Sequence, residues 1–140
     1  MPIVSEATLR QDTFKEVFDI IDANKPVGFV VLSAFPEVKP TFPVMVVNPV
    51  IDRTDLVDLC GLQRDHAIEV MIDIFSLASA GKEKIDIARD NIHATFLNNQ
   101  TILRTGSGII LSDLEDSDTD TLQFGEQKLN FASVLARFRI

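Results

Sequence analysis

Residues 67–78, AIEVMIDIFSLA, alternate along their whole length. Ile68, Val70, Ile72 and Ile74 fall on one side, and Ala67, Glu69, Met71, Asp73 and Phe75 on the other. Successive side chains of a strand point to opposite faces. The pattern therefore predicts one long strand with a core face and an amphipathic face. A chain built on such a strand needs a sheet, and something apolar must cover the sheet's β-branched side.

Two helical patterns can supply that cover. SEATLRQDTFKEVFDIIDAN predicts a helix from about Ser5 to Asn24, with Ser5 as N-cap and Glu6 facing the positive end of its dipole. Ala7, Phe14, Val17, Phe18 and Ile21 form its apolar stripe, while Leu9 and Ile20 lie on the flank, either covered by a neighbouring loop or in contact with another subunit. SAGKEKIDIARDNIHATFLNN predicts the second helix, with Ile85, Ala88, Ile92 and Phe96 toward the core. FVVLSAF (29–35) and FPVMVVN (42–48) read as strands, with Pro43 at the start of the second because proline removes a ladder donor. Residues 48–66 are charged and irregular, either a long loop or a protruding hairpin. GIILSDLE and KLNFASVLARFRI read as two final strands joined by an acidic loop at 113–120.

The expected fold is α+β, one domain over residues 1–140. A mainly antiparallel sheet of about five strands carries two helices on one face. Two helices cannot cover both sides of such a sheet, so the second face is wet or meets a partner. Met71 and Phe75 on that face favour a partner.

The chain has 140 residues and a net charge of −8, with 46% apolar and 24% charged residues. That supports a core without covalent staples and argues against phosphate-neutralising nucleic-acid binding. An acidic protein can still line a passage through which DNA slips. One cysteine, Cys60, excludes an intrachain disulfide and a multi-cysteine zinc site. No apolar run approaches a membrane span, and MPIVSEATLRQD lacks the regions of a signal peptide, so synthesis in the cytoplasm is expected.

The candidate chemistry is thin. Asp116, Asp118 and Asp120 alternate like the opening of a calcium loop. Counting from Asp116, however, the sixth, eighth and twelfth positions are Thr121, Gln123 and Gln127, where glycine, an apolar residue and glutamate are needed. A solvated turn is the plainer reading. Cys60, Asp65 and His66 are the only nucleophile-like group, and nothing nearby would lower the thiol pKa. Glu69 and Asp73 share a face about 13 Å apart along a strand, wider than the about 6.5–9.5 Å of paired catalytic carboxylates. His93 reads as a surface histidine near Arg89 and Asp90. RTGSGI follows a helix and precedes a strand, the reverse of a phosphate loop. Arg137 and Arg139 share a strand face with Ser133 and Leu135 and read either as two solvated arginines or as an edge that pairs with an acidic neighbour. No catalytic set, metal site or cofactor is expected, and the chain is expected not to be an enzyme.

The element order resembles the tail terminator (tail completion, or tail-to-head joining) proteins of long-tailed bacteriophages and related archaeal viruses. TLRQDTFKEVFDII, FPVMVVN, the excursion IDRTDLVDLCGLQRDH, AIEVMIDIFSLA, KIDIARDNIHATFL and the final hairpin carry the resemblance over nearly the whole chain. It implies a hexameric ring that caps the tail tube, stops its growth and docks to the head connector. DNA would pass through the lumen without specific binding. It also implies a place in the virion neck or tail after assembly in the host cytoplasm, with tail tube and neck proteins as partners and no membrane. Other neck or head-completion proteins share this size and pattern. A cytosolic ligand-binding α+β domain is the alternative of another class. The residues expected at interfaces are Leu9, Ile20, Asp52, Arg53, Asp55, Asp58, Glu69, Met71, Asp73, Phe75, Asp113, Asp116, Asp118, Asp120, Arg137 and Arg139. The acidic loop is expected to project toward the lumen or an adjoining ring. Replacing Asp116, Asp118 and Asp120 by Asn is expected to spare folding and alter assembly.

Overall fold

A computed structural model describes residues 8–34, 42–56 and 64–139, with the side chains of 52–56, 64–66, 107 and 124 outside the description. The elements run α1 (Leu9–Asn24), β1 (Val30–Leu32), β2 (Val44–Val47), β3 (Ile51–Leu56), β4 (Arg64–Leu77), α2 (Glu83–Asn98), β5 (Ile110–Asp116), β6 (Asp120–Phe124) and β7 (Gln127–Arg139). A short helical turn, Gln100–Ile102, continues α2 into a π-helical turn, Leu103–Ser107, which stops at left-handed Gly108.

The strands form one seven-stranded sheet in the order β1-β2-β4-β7-β5, with β3 also on β4 and β6 also on β7. Among the described strand pairs, only β1–β2 is parallel. The α+β class and the mainly antiparallel sheet are as the sequence implied, but the strand count rises from five to seven. One addition comes from the excursion: β3 pairs with the first part of β4 from Ile51↔Glu69 to Leu56↔Arg64, a hairpin rather than a loop.

The other addition comes from the acidic stretch, which is no loop between strands. β5 and β6 pair with successive halves of β7, Asp116 opposite Val134 and Asp120 opposite Phe131. They form one long edge strand that is broken at 117–119 and shifts register between Leu111 and Asp113. Five residues from 116 to 120 oppose four from 134 to 131, a bulge. Ser117 closes it: its N–H donates to the Ser133 carbonyl (2.9 Å), and its Oγ accepts from the Ser133 N–H (2.8 Å). The chain reverses later, at Gly125 (φ 60°), where a left-handed backbone suits glycine.

Ile68, Val70, Ile72 and Ile74 are fully buried, as are Ile85, Ala88, Ile92 and Phe96 of α2. Both helices share this one core with Ala132, Val134, Ala136 and Phe138 of β7. Phe96 meets Phe138 edge-on, centroids 5.5 Å apart at 62°. At the second helix, pattern and structure coincide.

At α1 they differ. The buried face is Leu9, Thr13, Glu16, Val17, Ile20 and Ile21, while Phe14 and Phe18 stack at its margin (5.9 Å). Leu9 and Ile20, placed on the flank by their spacing, are 4% and 6% exposed and belong to the core. The reason is two neighbours: α1 packs on α2 as well as on β1, so its apolar arc is wider than one stripe. Asn91 of α2 also donates to the Asn24 carbonyl at the end of α1 (2.7 Å). Thr8 precedes α1, its hydroxyl donating to Asp12 (2.5 Å). The expected cap at Ser5, with Glu6 and Ala7, lies outside the described residues. The Phe42–Pro43 bond is cis, and Pro43 stands just before β2 as expected. Among the described residues, no helix is long and apolar enough to cross a membrane.

Candidate assembly face

Strand parity divides the sheet. Even positions of β4 and β7 face the helices, and odd positions face away. The outward side has two zones. At one end Val44, Val46, Phe75 and Leu129 form a second buried cluster, with Leu32, Phe42, Leu77 and Phe131 partly buried against it. Phe75 lies 5.1 Å from Phe131, ring to ring, and is only 7% exposed. That corrects its reading as a partner-facing residue.

The other zone is open and mixed. Register sets Glu69 opposite Arg137 on β7, and Arg137 opposite Asp113 on β5. The Arg137 guanidinium donates to Asp113 Oδ2 at 2.7 Å and to Glu115 Oε2 at 2.6 Å, with Glu69 Oε1 3.6 Å from its Nε. The hydrogen bond that Arg137 donates to Glu115 holds its pKa above the usual value. Three carboxylates thus gather round one cation. The acidic neighbour expected for Arg137 is present, but in the same chain. Beside this group Asp73 accepts from the Ser133 hydroxyl (2.6 Å) and from the Asn48 amide (2.8 Å). Asn48 also donates to the Met71 carbonyl (3.0 Å), tying the end of β2 to β4.

Apolar side chains interleave with these charges. Met71, Ile51, Ile110, Leu122 and Val30 are each at least 41% exposed, and register or parity puts them on this side. Met71, Leu135, Ser133, Glu115, Asp116 and Ser117 line a depression of about 230 Å³. Of the expected interface residues, the structure therefore gathers Glu69, Met71, Asp73, Asp113 and Arg137 on one face, with Arg139 at its end opposite Ile110. Asn48, Ile51, Ile110, Leu122 and Glu115 were not singled out by sequence. Parity had already set Leu135 and Ser133 on the face of Arg137, but Asn48 had no signal.

The three alternating aspartates do not converge. Asp116 shares parity with Leu114 and turns to the helices, where His93 Nε2 lies 2.7 Å from its Oδ1. Asp120 sits opposite Phe131 on the outward side, and Asp118 lies in the bulge. Arg89 also donates to the Ser117 carbonyl, so α2 holds the bulge at two points. His93, at the surface as expected, is thus also a structural partner of β5. Among the described residues, no group of three or more His, Cys, Asp and Glu could hold a metal. Asp52, Arg53 and Asp55 lie in β3, but their side chains, like those of Asp65 and His66, are outside the description, as are Asp58 and Cys60 altogether.

No protein-family model and no curated protein sequence matches the chain. In fold it is similar to a chain of a solved structure described as the virion of a native gene transfer agent (GTA) particle. The TM-score is 0.57 at 14% identity, over 88% of this chain and 90% of that one. At that identity the likeness is one of fold.

Proposed function

We propose that this chain is a structural, non-enzymatic protein of a phage-like virion: a tail terminator whose single domain forms a ring at the neck. The ring would cap the tail tube, end its growth and join it to the head connector. The observation that carries the reading is the shared fold with a chain of the gene transfer agent virion, over 88% of this chain and 90% of that one. Two features of the molecule support it. The open sheet face mixes exposed apolar side chains with charges, as partner surfaces do. The net charge of −8 suits a lumen that must let DNA slide without holding it. The proposed contact residues are those the structure leaves exposed or partly exposed: Glu69, Met71, Asp73, Asp113, Asp116, Asp118, Asp120, Arg137 and Arg139. Leu9, Ile20 and Phe75 are left out because the fold buries them.

The test is the solution mass by light scattering at low and high salt, with and without purified tail tubes. A hexamer, formed alone or on the tube end, is the expected result. A monomer or dimer at both salts that ignores tubes would overturn the proposal, and a ligand screen would then test the binding-domain alternative.

A further inference from the structure

Beside α1, opposite in the sheet order to β5 and β6, lies an apolar depression of about 290 Å³. Phe14, Pro49 and Val50 line it, with Arg10, Gln11 and Ser33 at its polar margin. Arg10 is exposed and has no acidic partner among the described residues, unlike Lys15 and Lys25 of the same region, which pair with Asp19 and Asp22. A cation next to an apolar hollow suits a segment that offers a carboxylate and an aliphatic side chain close together.

The chain itself carries such a segment at its far edge. Asp118 and Asp120 are exposed, and no described cation pairs with them. Two residues on, Leu122 is 42% exposed and shares the outward face of β6 with Asp120. β1 closes one end of the strand order, and β6 pairs with β7 at the other, so one copy cannot bring its own β6 to its own hollow. We infer that the hollow beside α1 receives the bulge and β6 of a second copy of this chain, with Arg10 of one copy facing Asp118 and Asp120 of the next. This rests on the ring reading above and assigns the ring its contact. Two different patches meet, so the contact is heterologous and propagates head to tail until the rotation closes it.

The pairing is tested with two variants, Arg10→Glu and the double change Asp118→Arg with Asp120→Arg, each confirmed as folded by circular dichroism. Light scattering is run across a concentration series, with tail tubes if the wild type needs them to assemble. Each variant alone should shift half-assembly to at least about tenfold higher concentration, since like charges then face each other. An equimolar mixture should regain the wild-type mass. In it, each Arg10→Glu hollow can take a reversed β6, and each reversed copy offers an intact Arg10. Failure of the mixture to regain that mass overturns the inference. So does wild-type assembly by either variant alone, with the ring reading left standing. A wild type that never assembles, with or without tubes, removes the ring reading itself and this inference with it.

Discussion

The edge-on contact of Phe96 with Phe138 fixes α2 to the centre of the sheet, and its removal has a calculable cost. Both rings are buried, at 0% and 1% exposure, with centroids 5.5 Å apart. Phe96→Ala removes the transfer free energy of a phenyl ring and leaves a cavity among residues that cannot collapse without moving a helix. The cost should be about 3–5 kcal/mol. For a chain of this length the unfolding entropy is about 0.3 kcal/mol/K near the midpoint, so Tm should fall by about 10–17 °C. Urea unfolding followed by circular dichroism measures the loss directly, with an unchanged slope expected because the same surface is exposed. Part of the cost belongs to the ring pair rather than to burial. Phe96→Leu and Phe138→Leu, singly and together, should show a coupling of about 0.5–1.5 kcal/mol. A Phe96→Ala loss under about 1 kcal/mol, or Leu changes that simply add, would refute this account of how α2 is held.

Ile20→Ala should cost about 2–5 kcal/mol by denaturation yet leave the mass of the folded protein unchanged. An altered assembly state at wild-type stability would return Ile20 to an interface. Gly125→Ala should cost about 1 kcal/mol through its positive φ alone, because an added Cβ there meets nothing within 4 Å. Thermal melts check this, and a much larger loss would mean that the turn is packed against something. The Asp19 hydrogen bond, and then its charge, hold the Lys15 pKa above 10.5. A raised folded pKa gives stability that is fully present below the unfolded value and lost as pH rises through the folded one. The gap between wild type and Lys15→Met, small for so exposed a pair, should thus be steady near neutral pH. It should shrink above about pH 10.5, and urea midpoints that diverge there would contradict the assignment.

The long strand and the second helix were legible because each keeps one period and buries one face. β4 alternates without a slip for eleven residues, and Ile85, Ala88, Ile92 and Phe96 recur at helical spacing. The acidic stretch misled for a physical reason. Asp, Ser and Thr favour turns locally, but β7 is thirteen residues long and its outer edge needs a partner along most of that length. The ladder to β7 outweighed turn propensity everywhere except Ser117–Thr119, where α2 also holds the chain. Likewise the charged residues of β3 hid a strand because the pairing edge of β4 lay elsewhere in the sequence. Of the candidate face, Glu69, Asp73 and Arg137 were visible as outward positions. Their grouping was not, because one residue of register decides whether Arg137 meets Asp113 or misses it.

That grouping also decides where binding cations can come from. Sequence alone left Arg137 either solvated or directed at an acidic neighbour. In the fold its two terminal nitrogens are already directed at Asp113 and Glu115, and its Nε lies near Glu69. A neighbour's carboxylate arriving there would meet three of its own charge for one guanidinium. The open face therefore repels acidic surfaces, other copies of itself included, while Met71 and Leu135 keep it receptive to apolar contact. A chain of net charge −8 that self-associates must place its attraction elsewhere, at a cation not already occupied within the fold. Beside the hollow under α1, Arg10 meets that condition, and Arg137 does not.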